Sequence, residues 1–329
     1  MSAWQPLKRI FFAIALALIA IVTMLTGAPR MAAAQEWPTR PVTLVMAFAS
    51  GAMIDFVGRS LAADLSAALG QPVVTETKSG AGGILASLYV AKAPPDGYTL
   101  LLTTVGPAVL RPLMEKSVGY DSDADFTPIS LIGETPNVLL ADPKLGLNTV
   151  KDLLAYAKKN QNKINIGHAG PGTMGHLCSV VFASKAGLDA NLISYRGTAP
   201  MMIDVLGGQI ETAFPGYSPA TRSGKILAVT SAERVEFLPD VPTMRESGFD
   251  VIGTLWFAIF GPAHMPPEAV AKLNRAIDTF LHRPETRSRL SEAGFHVLGG
   301  PPSLLSQRVA QDRATWSQII ERLNSGGGK

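Results

Sequence analysis

The chain has 329 residues, 47% of them hydrophobic and 17% charged, which allows two α/β domains with real cores and excludes a disordered or fibrous chain. Lys and Arg total 29 against 26 Asp and Glu, but the three excess basic residues all lie within residues 1–34. The remainder is formally neutral and has no basic cluster, so nucleic-acid binding is not expected.

Residues 1–34 have the order of a secretory signal peptide. Lys8 and Arg9 precede an apolar run at residues 10–25, which a Gly-Ala-Pro break and an alanine triplet ending at Ala34 follow. The run is shorter than the ~20 residues that span a bilayer. We predict cleavage near Ala34 and export to the periplasm, with an uncleaved membrane anchor as the alternative. The single cysteine, Cys178, excludes an intrachain disulfide.

The mature chain then alternates β-rich and helical patterns. Residues 41–48 predict a buried strand, and residues 55–69 predict a helix that Gly70 ends. The order repeats with a strand at 73–75, a helix at 82–91 and a strand at 99–104. This alternation is typical of a mostly parallel sheet covered by helices on both faces.

A second series of elements begins near Leu139. Thr149 is the expected N-cap of an amphipathic helix at 149–160. Further strands are expected at 163–166, 192–195, 210–214 and 226–230. The apolar run 251–260 suits a strand that passes between lobes, and helices at 267–281, 284–293 and 302–323 close the chain before a disordered tail at 325–329. The elements predict two α/β lobes, the first of which receives the C-terminal helices.

Two loops, residues 48–55 and 167–176, each contain glycine and join a strand to a helix. The first N–H groups of a helix have no intrahelical acceptor, and the helix start carries about half a positive charge, so such a loop can hold an anion. Two of these helix starts facing each other across a cleft predict a site that binds a carboxylate from both sides. The alternative is that the glycines only make tight turns.

Motifs for cofactor binding, metal binding or catalysis are few. Gly170-x-Gly172-x-x-Gly175 has the spacing of a dinucleotide fingerprint, but the next acidic residue, Asp189, precedes the following strand instead of ending it. The histidines lack paired metal-ligand spacing, and no convincing nucleophile and base are present. No catalytic set, metal or cofactor is therefore expected. His176 is either a donor to a ligand carboxylate or a cap of its loop, and Asp55 is either a helix cap or a ligand group.

Several short segments along nearly the whole mature chain are together more specific than any single motif. They are Ser79-Gly80-Ala81-Gly82-Gly83, Pro95-Asp96-Gly97-Tyr98-Thr99-Leu100-Leu101, residues 167–176, Tyr195-Arg196-Gly197-x-x-Pro200 and Leu238-Pro239-Asp240-Val241-Pro242-Thr243. In these the chain resembles the substrate-binding proteins of tripartite tricarboxylate transporters, the Bug family of periplasmic solute receptors. The resemblance implies an α/β, two-lobed periplasmic binding protein (a type II-like "Venus flytrap"), each lobe a mostly parallel sheet flanked by helices.

The resemblance also implies the ligand-binding residues, because the family's loops matching residues 48–55 and 170–176 hold the ligand's proximal carboxylate. The candidates are Phe48, Ala49, Ser50, Gly51, Asp55 and Thr104 from the first lobe, and Gly170, Gly172, Thr173, His176, Tyr195, Gly197 and Phe214 from the second. Phe48, Tyr195 and Phe214 are candidate apolar walls or else core residues, and Trp256 is more readily core.

Three departures from the family pattern surround the expected pocket. Ala52 stands where the family has a glycine, Arg111 stands where it has an asparagine, and Pro215 replaces an acidic residue. Arg111 either pairs a second ligand carboxylate or is an ordinary exposed arginine. The departures leave the identity of the ligand open.

The expected function is a non-enzymatic receptor that captures a small carboxylate-bearing solute and delivers it to integral membrane subunits of a tripartite tricarboxylate-type transporter. It is expected to act as a monomer with a signal peptide at 1–34, lobe 1 at 35–137 and 254–329, and lobe 2 at 138–253. The alternatives are an exported hydrolase-like α/β enzyme and a ligand-sensing subunit for a membrane signalling partner.

Overall fold

The computed structural model describes residues 37–48, 53–115 and 117–326. The predicted signal peptide and its cleavage site near Ala34 lie outside these ranges, as do Ala49, Ser50, Gly51 and Ala52. The chain forms two compact units, residues 1–39 and 40–329. Of the first, only residues 37–39 are described, and they form no helix or strand. Within the described ranges, no helix is both long enough and apolar enough to cross a membrane.

The first group of elements surrounds a six-stranded sheet with the strand order β11-β4-β10-β3-β1-β2, and we call it lobe 1. Its strands are β1 (Val42–Met46), β2 (Val73–Thr77), β3 (Thr99–Thr104), β4 (Phe126–Pro136), β10 (Thr254–Pro262) and β11 (His296–Val297). Its helices are α1 (Met53–Leu69), α2 (Ile84–Ala91), α3 (Arg111–Met114), α7 (Pro267–His282), α8 (Pro284–Glu292) and α9 (Pro302–Gly326). A π-helical segment, Gly106–Leu110, leads directly into α3.

The second group surrounds a five-stranded sheet with the order β7-β6-β8-β5-β9, and we call it lobe 2. Its strands are β5 (Val138–Ala141), β6 (Lys163–His168), β7 (Asp189–Ser194), β8 (Thr212–Ala213) and β9 (Lys225–Val229). Its helices are α4 (Val150–Lys159), α5 (Met174–Ala186) and α6 (Thr198–Gly207), with short 3₁₀ segments at Pro143–Leu145 and Pro219–Ser223.

Local sequence explains the principal helices. In α1, apolar residues at helical spacing, among them Val57, Leu61 and Leu65, are fully buried against the sheet. Gly58 allows the close approach, because a Cβ there would lie 2.6 Å from the sulfur of Met46 on β1. In lobe 2, Thr149 caps α4 as expected from the sequence, in a reciprocal capping box with Asp152.

Both sheets are mixed, which corrects the expectation of mostly parallel sheets. β1 pairs in parallel with β2 and β3, and β6 pairs in parallel with β7 and β8. The remaining pairs, β10 with β3 and β4, β4 with β11, and β5 with β8 and β9, are antiparallel. In lobe 1, β10 returns from lobe 2 and inserts between β3 and β4, antiparallel to both.

The chain passes between the lobes at two adjacent crossings. In the first, a single residue, Asn137, separates β4 of lobe 1 from β5 of lobe 2. In the second, residues 230–253 connect β9 to β10. Thr230 ties the two together: its N–H and hydroxyl each donate to the carbonyl of Asn137 at 2.9 Å. The hydroxyl also contacts the Gly253 carbonyl at 2.6 Å, and Gly253 N–H donates to the Thr230 carbonyl at 3.0 Å. The crossings therefore meet at one buried, hydrogen-bonded point.

Candidate functional site

A cavity of about 80 Å³ lies between the lobes. Residues of lobe 1 and of its returning strand β10 line one side: Phe48, Met53, Ile54, Thr104, Leu255 and Phe257. Residues of lobe 2 line the other: Ala169, Thr173, Met174, Gly175, Arg196, Gly197, Thr198, Ala199, Pro200, Phe214, Gly216 and Ser218, with Asn137 at the crossing. Within this described lining, Arg196 is the one charged side chain.

The N-terminus of α5 opens into this cavity. Thr173 is its N-cap and is 8% exposed, and its hydroxyl accepts a hydrogen bond from the N–H of His176 at 3.3 Å. The same hydroxyl donates to the carbonyl of Gly170 at 2.7 Å, which fixes the preceding loop. Met174 and Gly175 are the first two helical residues, and N–H groups at these positions have no intrahelical acceptor. With the positive end of the helix dipole, this geometry favours an anion.

The loop before α5 contacts lobe 1 through residues that do not line the cavity. Gly172 has φ +67°, and a Cβ at this position would collide with Cδ of Arg111. The guanidinium of Arg111 donates from Nη1 to the Pro171 carbonyl at 3.1 Å. On the lobe 1 side, a Cβ at Gly82 would lie 2.7 Å from the same carbonyl oxygen. Glycines on both sides therefore allow the two lobes to close tightly around this arginine.

Arg111 is buried, with 7% of its surface exposed. This rules out the ordinary exposed arginine that the sequence also allowed. Nη2 forms an ion pair with Glu115 at 2.5 Å, Nη1 contacts Pro171, and Nε is buried without a hydrogen-bond partner. Arg111 does not line the cavity, so the structure uses it to join the lobes.

His168 and His176 support the loop between them. Their rings are 4.5 Å apart, and each accepts through Nδ1 a hydrogen bond at 3.3 Å, from Gly170 N–H and Gly172 N–H respectively. Burial, with smaller contributions from His168 and Arg111, lowers the pKa of His176 to about 4. Burial also lowers the pKa of His168. Both rings are therefore neutral at neutral pH, as acceptance of an N–H requires.

Two other sequence candidates make contacts with protein groups beside the cavity. The hydroxyl of Tyr195 donates to Asp204 Oδ2 at 2.7 Å, and burial together with this carboxylate raises the pKa of Tyr195 to about 12. Asp55 accepts a hydrogen bond from Arg59 at 2.7 Å, one turn along α1. Neither residue lines the cavity.

The structure thus brings part of the predicted set together. Phe48, Thr104, Thr173, Gly197 and Phe214 line one cavity. Five other candidates lie outside its lining: Asp55, Gly170, Gly172, His176 and Tyr195. Ala49, Ser50 and Gly51 fall outside the described residues.

Several lining residues escaped sequence reasoning. Asn137 carries no motif of its own, and Ser218 lies in Gly216-Tyr217-Ser218-Pro219-Ala220, which lacks the closing glycine of a nucleophile elbow. Leu255 and Phe257 lie in the apolar run that we assigned only to a crossing strand, and their spacing of two, typical of one face of a strand, was the available signal. Trp256, between them, is fully buried in the core, as expected. Among the described residues, no group of three or more His, Cys, Asp or Glu is placed to hold a metal ion.

Comparisons with known proteins identify the family of the chain. The family model described as "Tripartite tricarboxylate transporter family receptor" matches residues 57–325. Protein BugT of Bordetella pertussis (strain Tohama I) is 30% identical over 312 residues, covering 93% of this chain and 96% of BugT. The predicted family resemblance is therefore confirmed.

Solved structures show the same fold. Rpa4515 of R. palustris, solved with adipate, is 33% identical with a TM-score of 0.84, covering 88% of this chain and 99% of its own. MatC (Rpa3494) from Rhodopseudomonas palustris, with bound malate, is 31% identical with a TM-score of 0.81, covering 86% of this chain and 100% of its own. The chain belongs to the tripartite tricarboxylate transporter receptor family, whose members are periplasmic solute-binding proteins with this two-lobed α/β fold.

Proposed function

We propose that this receptor binds a small carboxylate-bearing solute between its lobes, with the carboxylate on the N-terminus of α5, and delivers it to membrane subunits of a tripartite tricarboxylate-type transporter. The observation that carries the proposal is the opening of that helix start, at Met174 and Gly175, into the cavity between the lobes. The adipate and malate bound by two related receptors are both dicarboxylates, which supports the same ligand class here.

Contacts of the solute with both lobes drive closure in this proposal. Thr104 and Phe48 of lobe 1 face Thr173 and Phe214 of lobe 2 across the cavity, so a bound solute contacts both lobes. Only such differential contact shifts an open–closed equilibrium toward the closed state. Exclusion of water then strengthens the hydrogen bonds from the helix start to the carboxylate.

The proposal also covers organisation and location. The mature chain begins after cleavage near Ala34 and acts in the periplasm as a monomer, without catalysing a reaction. Lobe 1 comprises residues 35–137 and 254–329, and lobe 2 comprises residues 138–253. The change of sheet on either side of Asn137, and again between β9 and β10, supports these boundaries.

A bulky residue at the helix cap tests the site. Thr173→Phe removes the cap and fills the space at the helix start, so the ligand carboxylate loses its contacts. Thr149→Phe is the matched control, because Thr149 caps α4 in the same way but does not line the cavity. Each variant loses about 1 kcal/mol of cap stability. Thr173→Phe loses about 1–3 kcal/mol more from overpacking, because Thr173 is buried whereas Thr149 is exposed, and among the folded variants only Thr173→Phe is expected to lose ligand binding.

The measurement is a thermal-shift and calorimetric titration with adipate, malate and their uncharged diamides. A carboxylate at 100 times its Kd stabilises the protein by about 2.7 kcal/mol, whereas the diamides are expected to have no effect. Equal stabilisation by acids and diamides, or unchanged affinity in folded Thr173→Phe, would contradict the proposed site.

A further inference from the structure

A second depression spans both lobes next to the chain crossings, and we call it the rear groove. Its volume is about 530 Å³. Helix α8 and strand β11 of lobe 1 form one wall, and residues of the segment 231–237 of lobe 2 form the other. Pro136 and Thr254 of the crossing strands also line it. Among the described residues, none lines both this groove and the cavity between the lobes.

The rear groove and the cavity lie on opposite faces of the crossing strands. In the antiparallel pair of β10 with β4, Thr254 is opposite Pro136 and Leu255 is opposite Thr135. Directly opposed residues share a face of the sheet, and successive residues alternate between the two faces. Thr254 and Pro136 line the groove, whereas Leu255, on the other face, lines the cavity. The crossing strands therefore separate the two spaces.

The chain crossings are joined between the groove and the cavity. Their hydrogen bonds connect Asn137, Thr230 and Gly253, which we call the hinge. Pro136 and Thr254 of the groove are the immediate sequence neighbours of two hinge residues. Rotation of the lobes about this hinge that widens the cavity on one face must bring the walls of the groove together on the other face.

The groove is wide when the cleft is closed. The cleft is closed in this structure, because Arg111 of lobe 1 donates to the Pro171 carbonyl of lobe 2, and the groove has its volume of about 530 Å³ in the same arrangement. The groove must narrow when the cleft opens to admit or release a solute. Space inside it thus exists chiefly in the closed state.

Each wall offers an exposed position at which this space can be filled. Ser291 lies on α8 and Glu236 lies on the segment 231–237, and both line the groove and are exposed. A larger side chain at either position leaves the core of its own lobe undisturbed. The same side chain is overpacked against the opposite wall once the groove narrows, and overpacking is destabilising. Bulk at these positions therefore acts against the open state.

We propose that the rear groove controls the open–closed equilibrium of the receptor. Its narrowing opposes opening of the cleft, and a side chain that fills it favours the closed state and strengthens solute binding without touching the solute. This inference rests on the proposed function, because it takes closure of the cleft as the step that solute binding requires. The coupling follows from differential stability of the two states, which is the only way to shift such an equilibrium.

Spin labels test the inference without a ligand. Ala63→Cys on α1 and Ala155→Cys on α4 introduce one exposed label site in each lobe, and the native Cys178 stays unlabelled because it is fully buried. Double electron–electron resonance then measures the separation of the lobes. Ser291→Trp and Glu236→Trp are each expected to shift the distances of the ligand-free protein from an open distribution towards the separation in the closed structure.

The same variants are expected to bind adipate or malate more tightly in isothermal titration calorimetry. The apparent Kd falls in proportion as the closed, binding-competent fraction rises. Overpacking of the open state by an indole corresponds to a decrease of about 5- to 100-fold in Kd.

Matched controls separate the bulk in the groove from other effects of substitution. Ser306→Trp and Glu233→Trp add the same indole at exposed positions, on α9 and on the segment that carries Glu236, but neither residue lines the groove. Ser291→Ala and Glu236→Ala remove the native groups and leave the groove empty. All four are expected to keep the wild-type distances and Kd.

The outcomes distinguish this inference from the function on which it rests. A shift towards closure in either groove variant, without a shift in the controls, supports the inference. Wild-type distances in both folded variants, a shift towards opening, an equal shift in the controls, or a ligand-free wild type that is already closed would each overturn it. If neither adipate nor malate binds the wild type, the proposed function fails for these acids, whereas the distances still decide the inference. The two substitutions lie on different lobes, so if one variant does not fold the other decides.

Discussion

The contact of Arg111 with Pro171 gives a direct test of how the closed arrangement is held. Arg111→Ala removes a hydrogen bond from a charged donor, 3.1 Å long, that joins lobe 1 to the loop before α5. Such a bond contributes about 1.5–3 kcal/mol. Opening the cleft breaks it, so its full value belongs to the closed state. The free energy of this bond, unlike that of the Arg111–Glu115 ion pair within lobe 1, therefore appears as weaker ligand binding, by about 10- to 150-fold in Kd.

The expected change lies in the dissociation rate of the ligand, because the hydrogen bond from Arg111 to Pro171 forms after the ligand has entered. Stopped-flow displacement should show faster release of a bound dicarboxylate from Arg111→Ala, with little change in the association rate. Arg111→Lys keeps the charge but loses the planar fork and should fall between the two. Arg245→Ala is the matched control, since Arg245 is exposed and pairs with Asp250 within lobe 2 at 2.7 Å. A folded Arg111→Ala with wild-type Kd and release rate would refute the reasoning.

Three further predictions concern buried groups. His176 titrates at about 4 when folded against 6.5 unfolded, so the unfolded chain takes up the proton first and stability falls as pH drops from about 6.5 towards 4. Between pH 7 and pH 5 this residue alone should remove about 2 kcal/mol of unfolding free energy, measured by urea titration at each pH. The stability of His176→Gln should fall correspondingly less over this range. His296→Gln, a change at an exposed histidine, should behave as wild type. Cys178 is fully buried and burial raises its pKa to about 12, so a thiol reagent at pH 8 should label one group per chain only in denaturant; rapid labelling of the native protein would contradict its placement. The indole N–H of Trp256 donates to Asp312 at 2.5 Å. Asp312→Ala leaves this N–H without an acceptor and should destabilise the protein by about 1–3 kcal/mol. A urea midpoint equal to wild type would show that this bond contributes nothing.

Local patterns in the sequence were sufficient for most helices. Helix α1 is expected at 55–69 and is found at Met53–Leu69, and Thr149 caps α4 as predicted. These features depend on residues close together in sequence, whose spacing and capping groups are visible without a structure. The same holds for β3, found at Thr99–Thr104 as predicted.

Features that depend on distant contacts were missed. β4 escaped notice because Pro128, Gly133 and Pro136 interrupt its pattern, and its pairing with β10, more than a hundred residues away, forms it nonetheless. The direction of each strand in the mixed sheets is likewise invisible in a hydrophobic pattern.

The candidate site was predictable to a similar extent. A glycine loop before a helix indicates an anion site, and α5 has that geometry. Burial of Arg111 could not be foreseen, because the space it occupies is created by glycines of two loops that meet only in the folded protein. The partner of Tyr195, Asp204, lies nine residues along the chain, and nothing in the sequence distinguishes this pairing from a wall of the cavity.

The knot of hydrogen bonds around Thr230 has a mechanical consequence. Two adjacent chain crossings that are joined by hydrogen bonds are expected to act as one hinge. Rotation of the lobes about this hinge keeps the bonds among Thr230, Asn137 and Gly253, whereas sliding one lobe past the other would break them. Opening should therefore follow a single coordinate, so that spin labels on the outer faces of the two sheets report one correlated separation.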